Sequence, residues 1–154
     1  MVCRRIIIKW LFDDVAERRT FAFIVPRNWA GTSDLRLRLF QVLGQAQLAG
    51  DDVEWTGEVR TLVPGQDVVT KAATALAVAA TDVGADAEGI SDGGGPHVAE
   101  LVLDHDDPDN PVSTGCLVLV TVWRASVGGA GKADGVVLFR ADLAYAQGAR
   151  HERA

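Results

Sequence analysis

The sequence predicts an all-β fold, an antiparallel β-sandwich of about eight strands. Three observations predict it. Leu35-Arg36-Leu37-Arg38-Leu39 alternates apolar and cationic residues one by one. A period of two suits a strand with one dry face and one wet face. Similar runs recur down the chain, separated by Gly, Asp, Asn and Pro, the residues that turns select for their backbone freedom or local hydrogen bonding. The runs are evenly spaced within 154 residues, a length for one domain that buries roughly 68–70% of its unfolded surface.

The first strand is expected from Arg5 to Phe12, followed by the charged link Asp13 to Arg19. The second runs from Thr20 to Val25 and stops at Pro26, which has no N–H to donate to a ladder. A turn-rich link, Pro26 to Gly31, carries one aromatic, Trp29. Asp34 to Val42 is the clearest strand. Val53 to Val63 follows the Gly50-Asp51-Asp52 turn, with Val53, Trp55, Gly57, Val59 and Thr61 on one face. Residues 66–90 read two ways. Val69, Ala73, Leu76 and Ala80 fit a helical stripe, and alanine favours helix. The favoured reading is a strand from about Ala75 to Ala80, with Ala75, Ala77 and Ala79 alternating against Leu76 and Val78.

After the Gly-rich loop Gly89 to Pro96, His97 to Asp104 reads as a strand with Val98, Leu101 and Leu103 as its apolar positions. The acidic loop Asp104 to Pro111 leads to Cys116–Arg124, an almost continuous apolar run suited to a strand covered on both faces. A second Gly-rich loop precedes the last strand, Gly135 to Ala146, with Val137, Phe139, Ala141, Leu143 and Tyr145 on one face. A single domain over 1–154 is expected, with its core at about 5–147 and a polar tail at 148–154. Two-sheet sandwiches, jelly rolls included, and closed barrels accommodate such a strand count.

A net charge of −6 opposes nucleic-acid binding, which needs a basic stripe to displace counterions from phosphates. It equally opposes docking on an anionic membrane surface. The apolar run Ile6-Ile7-Ile8 is broken at once by Lys9, too short for a signal peptide, and no stretch reaches the ~20 apolar residues of a membrane span. A soluble protein made in a cytoplasm is expected. Cys3 and Cys116 read as two reduced thiols, the second buried.

Each chemical motif has a plainer reading beside it. Gly128-Gly129-Ala130-Gly131-Lys132 lacks the first glycine, the hydroxyl and the helix of a phosphate loop, so it reads as a hairpin loop. Asp104-His105-Asp106-Asp107-Pro108-Asp109-Asn110 is rich in the oxygen ligands calcium takes, but lacks the EF-hand order and reads as a solvated acidic loop. His97, His105 and His151 share no metal-ligand spacing. Asp13-Asp14 and Asp51-Asp52 read as turn caps rather than paired glycosidase carboxylates. A Ser-His-Asp triad has no nucleophile elbow to support it. Neither a cofactor nor a catalytic residue is expected. Trp10, Trp55 and Trp123 sit in strands and read as core. Trp29 lies in a turn, where it pins the loop to the sandwich or contacts a partner.

Several ordered segments carry a resemblance. They are Phe12-Asp13-Asp14, Thr20-Phe21-Ala22-Phe23, Val25-Pro26-Arg27-Asn28-Trp29 and the alternating Leu35–Phe40 strand. Further on come Val53-Glu54-Trp55 with Val59-Arg60, then Val122-Trp123-Arg124 with Asp134, and a final Leu143-Ala144-Tyr145. Over about residues 5–147 this order resembles a recurrent group of small tailed-bacteriophage virion proteins. The resemblance implies a jelly-roll-like sandwich, non-enzymatic, that assembles on a capsid or tail, often as a trimer. The implied partners are further copies of itself and the major capsid protein or tail proteins, and the implied location is the virion. The expected role is capsid decoration. A tail, baseplate or fibre component with host-recognition duty is the alternative, and a carbohydrate-binding module a third. The residues expected at an interface are Arg4, Arg5, Trp29, Arg36 and Arg38. The Arg36/Arg38 row would meet acidic neighbours, or the Arg4-Arg5 end would lie against the shell.

Overall fold

A computed structural model describes residues 2–12, 17–43, 52–82, 97–125 and 136–148, with side chains described at 17–41, 53–80, 97–125, 138 and 140–148. Among the described residues eight strands form: β1 (Val2–Phe12), β2 (Arg19–Ile24), β3 (Leu35–Leu43), β4 (Asp52–Leu62), β5 (Thr74–Asp82), β6 (His97–Leu103), β7 (Leu117–Arg124) and β8 (Val136–Tyr145). They make two four-stranded antiparallel sheets, ordered β1-β8-β3-β6 and β2-β7-β4-β5. The first strand pairs with the last, the second with the next to last, and so inward to the β4–β5 pair. Only the β4–β5 connection joins strands of one sheet. This nested order is that of a jelly roll. All eight expected strands are present, each within about three residues of its expected bounds.

The pleat explains the layers. Leu35, Leu37 and Leu39 of β3 are fully buried, while Arg36 and Arg38 between them face water. In the other sheet, Val118, Val120 and Val122 of β7 are likewise fully buried. Each such side chain contributes roughly 1.5–3 kcal/mol by leaving water. On β4, Val53, Trp55, Gly57, Val59 and Thr61 share the buried face, as expected. At one end the core turns polar: Trp55 Nε1 donates to Gln41 Oε1, and buried Arg124 is the backbone partner of Trp55.

Bulges move two expected faces, and a third expectation, on β6, changes without one. Between Trp55 and Gly57 the β4–β5 register shifts, so Ala77 and Val78 together oppose Thr56. Leu76 is therefore buried while Val78 is 56% exposed, rather than the two sharing a face. Thr56 Oγ1 donates to the Leu76 carbonyl at 3.0 Å at this bulge. A second shift, at Phe139, puts Leu138 on the buried side of β8, where Val137 and Phe139 had been expected. On β6, Ala99 joins Leu101 and Leu103 in the core and Val98 points outward. The expectation that β7 is covered on both faces is corrected as well. Its outer residues Leu117, Leu119, Thr121 and Trp123 are only half-buried, because its sheet has one open face.

The antiparallel order gathers three loops at one end: 25–34, 63–73 and 104–116. Residues 146–148 join them, with Trp29 and Gln147 forming a bridge and Gly148 N donating to Asn28 O at 2.9 Å. The segments Gly89–Pro96 and Gly128–Lys132, the pair Asp13-Asp14, Asp51 and His151 lie outside the described residues.

Candidate functional site

The loop end is held by polar side chains. Asn110 is 1% exposed and central. Its Oδ1 accepts the N–H of Thr61 at 3.0 Å, and its Nδ2 donates to Ala72 O at 3.1 Å and Thr74 Oγ1 at 2.9 Å. Asp107 Oδ1 accepts from Asn110 N at 2.7 Å, Thr74 Oγ1 at 2.9 Å and Asp109 N at 3.0 Å. The Asn110 backbone bond, foremost, holds the Asp107 carboxyl below its usual range. The acidic loop is therefore a structural clamp on β4 and β5, and two of its oxygen-bearing residues face the protein rather than a shared cation.

Beside the clamp, His105 joins the loop to β3. Its Nδ1 lies 2.8 Å from Asp34 Oδ1, and its backbone N–H donates to the same oxygen at 3.1 Å. The side-chain bond pushes His105 up and Asp34 down from their ordinary values. Asp104 and Asp106 stand 4.0 and 3.9 Å from the same ring nitrogen. The hydrogen bond that the protonated Asp104 carboxyl gives the Asp106 carboxylate pushes Asp104 up, the mark of acids crowded together. Potential ligand atoms of Asp34, Asp104 and His105 lie within 4.8 Å of one another. This convergence was not legible in the sequence, because Asp34 and His105 are far apart in the chain.

Trp29 packs its ring edgewise on His105, with centroids 6.4 Å apart, and donates Nε1–H to Ser33 O at 3.0 Å. At 7% exposure its ring is folded into its own chain and pins the loop, the first of the two roles expected for it. The same burial removes it as a stacking platform for sugars. Trp55 is core, as expected, but Trp123 lies on the outer face under the Arg18 guanidinium, 3.9 Å from its ring centroid. Side chains of Trp10, Arg4 and Arg5 lie outside the described residues. The backbones of Arg4 and Arg5 pair with Leu143 and Asp142.

Arg36 and Arg38 already have an acid within the chain. Glu100 on β6 takes Arg36 Nη1 at 2.5 Å and Arg38 Nε at 3.0 Å. The Arg36 hydrogen bond foremost holds the Glu100 carboxyl below its usual range. Beyond Arg38, Arg140 grips Asp142 through two N–H groups at 2.9 and 2.5 Å and stacks over Phe40 at 3.9 Å. The expected cationic row is thus a fixed network of guanidinium groups, exposed at one edge.

Open depressions lie at the loop end, two of them lined by Ile24. One, of about 710 Å³, runs from Ile24 to Asn28 and reaches Tyr145, whose hydroxyl is 3.4 Å from Asn28 Oδ1. The second, of about 290 Å³, extends past Ile24 to Val63 and Gln66. Cys116 is buried and free, as expected, and its sulfur receives the Ser113 N–H at 3.5 Å.

No family model and no curated protein matches the chain. Among solved structures it is similar to part of dimeric latent PorU from Porphyromonas gingivalis, with 12% identity and a TM-score of 0.46. That likeness covers 99% of this chain and 13% of PorU, and it is too distant to speak to function.

Proposed function

We propose that this chain is a non-enzymatic structural protein of a tailed-bacteriophage virion, a decoration protein that binds the outer capsid surface and stabilises it. One observation supports the reading: several residues that carry the resemblance, among them Asn28 with Tyr145 and Trp55 with Arg124, lie together in the fold. Asn28 reaches Tyr145, Trp29 bridges to Gln147 and packs on His105, and Trp55 bonds Gln41 beside Arg124. These anchors of the sequence pattern are structural contacts within the sandwich.

The mechanism is surface burial. A rigid module that binds the assembled shell and not its dissociated subunits stabilises the shell by mass action. The test is mass spectrometry of purified particles with copy-number quantification. Many copies per capsid, and shells that break at lower temperature without the protein, are expected. Its absence from the particle overturns the reading. A low copy number with adsorption to host cells would move it to the tail.

A further inference from the structure

The edges of the two sheets meet where β5 and β6 run side by side, and between them lies a recess of about 210 Å³. It is lined by Val59, Ala75, Leu76, Ala77 and Val102 together with Thr74 and the carboxylates of Asp104 and Asp107. Aliphatic groups beside carboxylates suit an aliphatic stem ending in a cation, the shape of an arginine side chain. Asp107 is engaged by its own loop. Asp104 accepts the Asp106 N–H at 3.2 Å and stands 4.0 Å from His105 Nδ1, yet its side chain is 62% exposed and lies among Asp34 and Asp106, so a guanidinium there would add a second cation to three acids.

A cation of the right kind lies one strand away. Arg36 is the backbone partner of Val102, and its side chain is 46% exposed. Glu100 holds the guanidinium through Nη1 while the side chain stays 46% exposed, and a side chain already held loses less entropy on binding. The surroundings are those of an interface centre. Val98 and Val102 are 45% and 44% exposed, and β5 carries no charged residue before Asp82. The bulge at Ala77–Val78 breaks the straight edge that strand addition would need, so contact falls to side chains.

Donor and acceptor patches thus adjoin and share Val102. A two-fold axis through such a boundary brings each patch onto its complement twice. We propose that two copies of this chain associate about a two-fold axis near Val102, each placing Arg36 in the other's β5–β6 recess against Asp104. This goes beyond the virion reading and does not depend on it.

Analytical ultracentrifugation of the full chain up to about 1 mM tests it. A dimer is expected, weakened by high salt. Arg36→Glu or Asp104→Arg alone should raise its Kd about 100-fold, and the double variant should restore it to within about tenfold, since each contact then pairs Glu with Arg. Circular dichroism checks folding. Should either variant fail to fold, Val102→Cys in a Cys3→Ser background should give a disulfide-linked dimer on mild oxidation. A monomer throughout, a dimer indifferent to both reversals, or no cross-link overturns the proposal.

Discussion

Asn110 Oδ1 accepts the backbone N–H of Thr61 at 3.0 Å, joining the acidic loop to the end of β4. The same side chain donates two more hydrogen bonds across to Ala72 and Thr74. Asn110→Ala removes all three and leaves a buried N–H without an acceptor. The expected loss is about 3 kcal/mol, read as a lower urea midpoint at unchanged slope. A loss under about 0.5 kcal/mol would show that the clamp is not structural.

Gly57 sits where β4 passes closest to β7. A Cβ there would run into the Thr121 carbonyl oxygen, which belongs to the backbone and cannot swing away. Gly57→Ala is expected to cost about 3 kcal/mol or to prevent folding, seen in thermal melts or soluble yield. By contrast, Gly31→Ala meets open space and suffers only from its φ of +78°, so its effect should be about 1 kcal/mol.

The His105–Asp34 pair predicts a pH window. Asp34 is held below its ordinary value, so its contribution is present above about pH 4 and fades as pH falls through the lowered value. His105 is held above its ordinary value, so its contribution is complete below about pH 6.5 and fades as pH rises through the raised one. The Tm difference between wild type and His105→Gln should therefore peak between these limits and shrink on either side. A difference that is flat with pH would mean that the pair acts only as a neutral hydrogen bond.

Trp29→Phe keeps most of the ring and loses the Nε1 bond to Ser33, at an expected cost of about 1 kcal/mol. Trp29→Ala should cost about 3–5 kcal/mol, because it empties a site packed against His105. Chemical denaturation measures both. If Trp29 instead served a partner, these changes would weaken assembly and leave the midpoint where it was.

The strands were legible because period-two patterning survives in a sheet with one wet face. Leu35 to Phe40 reads directly from sequence to burial. Bulges were not legible: nothing in Ala77-Val78 or Phe139 announces an extra residue, yet each puts the two ends of its strand out of step. Strand pairing was equally hidden, since alternation tells a strand which way to face but not which neighbour it has. The His105–Asp34 pair and the Asn110 clamp depend on that pairing, so they lay beyond a linear reading. Trp29 could be narrowed to two roles, and only its burial chose between them.

The nesting of first strand with last has a consequence for synthesis. β1 emerges from the ribosome early and finds its hydrogen-bonding neighbour only when β8 follows, nearly the whole chain later. Until then the outermost pair of the roll is open, and its closure waits on long-range loop entropy rather than on local contacts. A stop codon before β8 would leave β1 without the strand beside it and β3 with a bare edge, so shortened products should be cleared by proteolysis rather than accumulate as smaller folded forms.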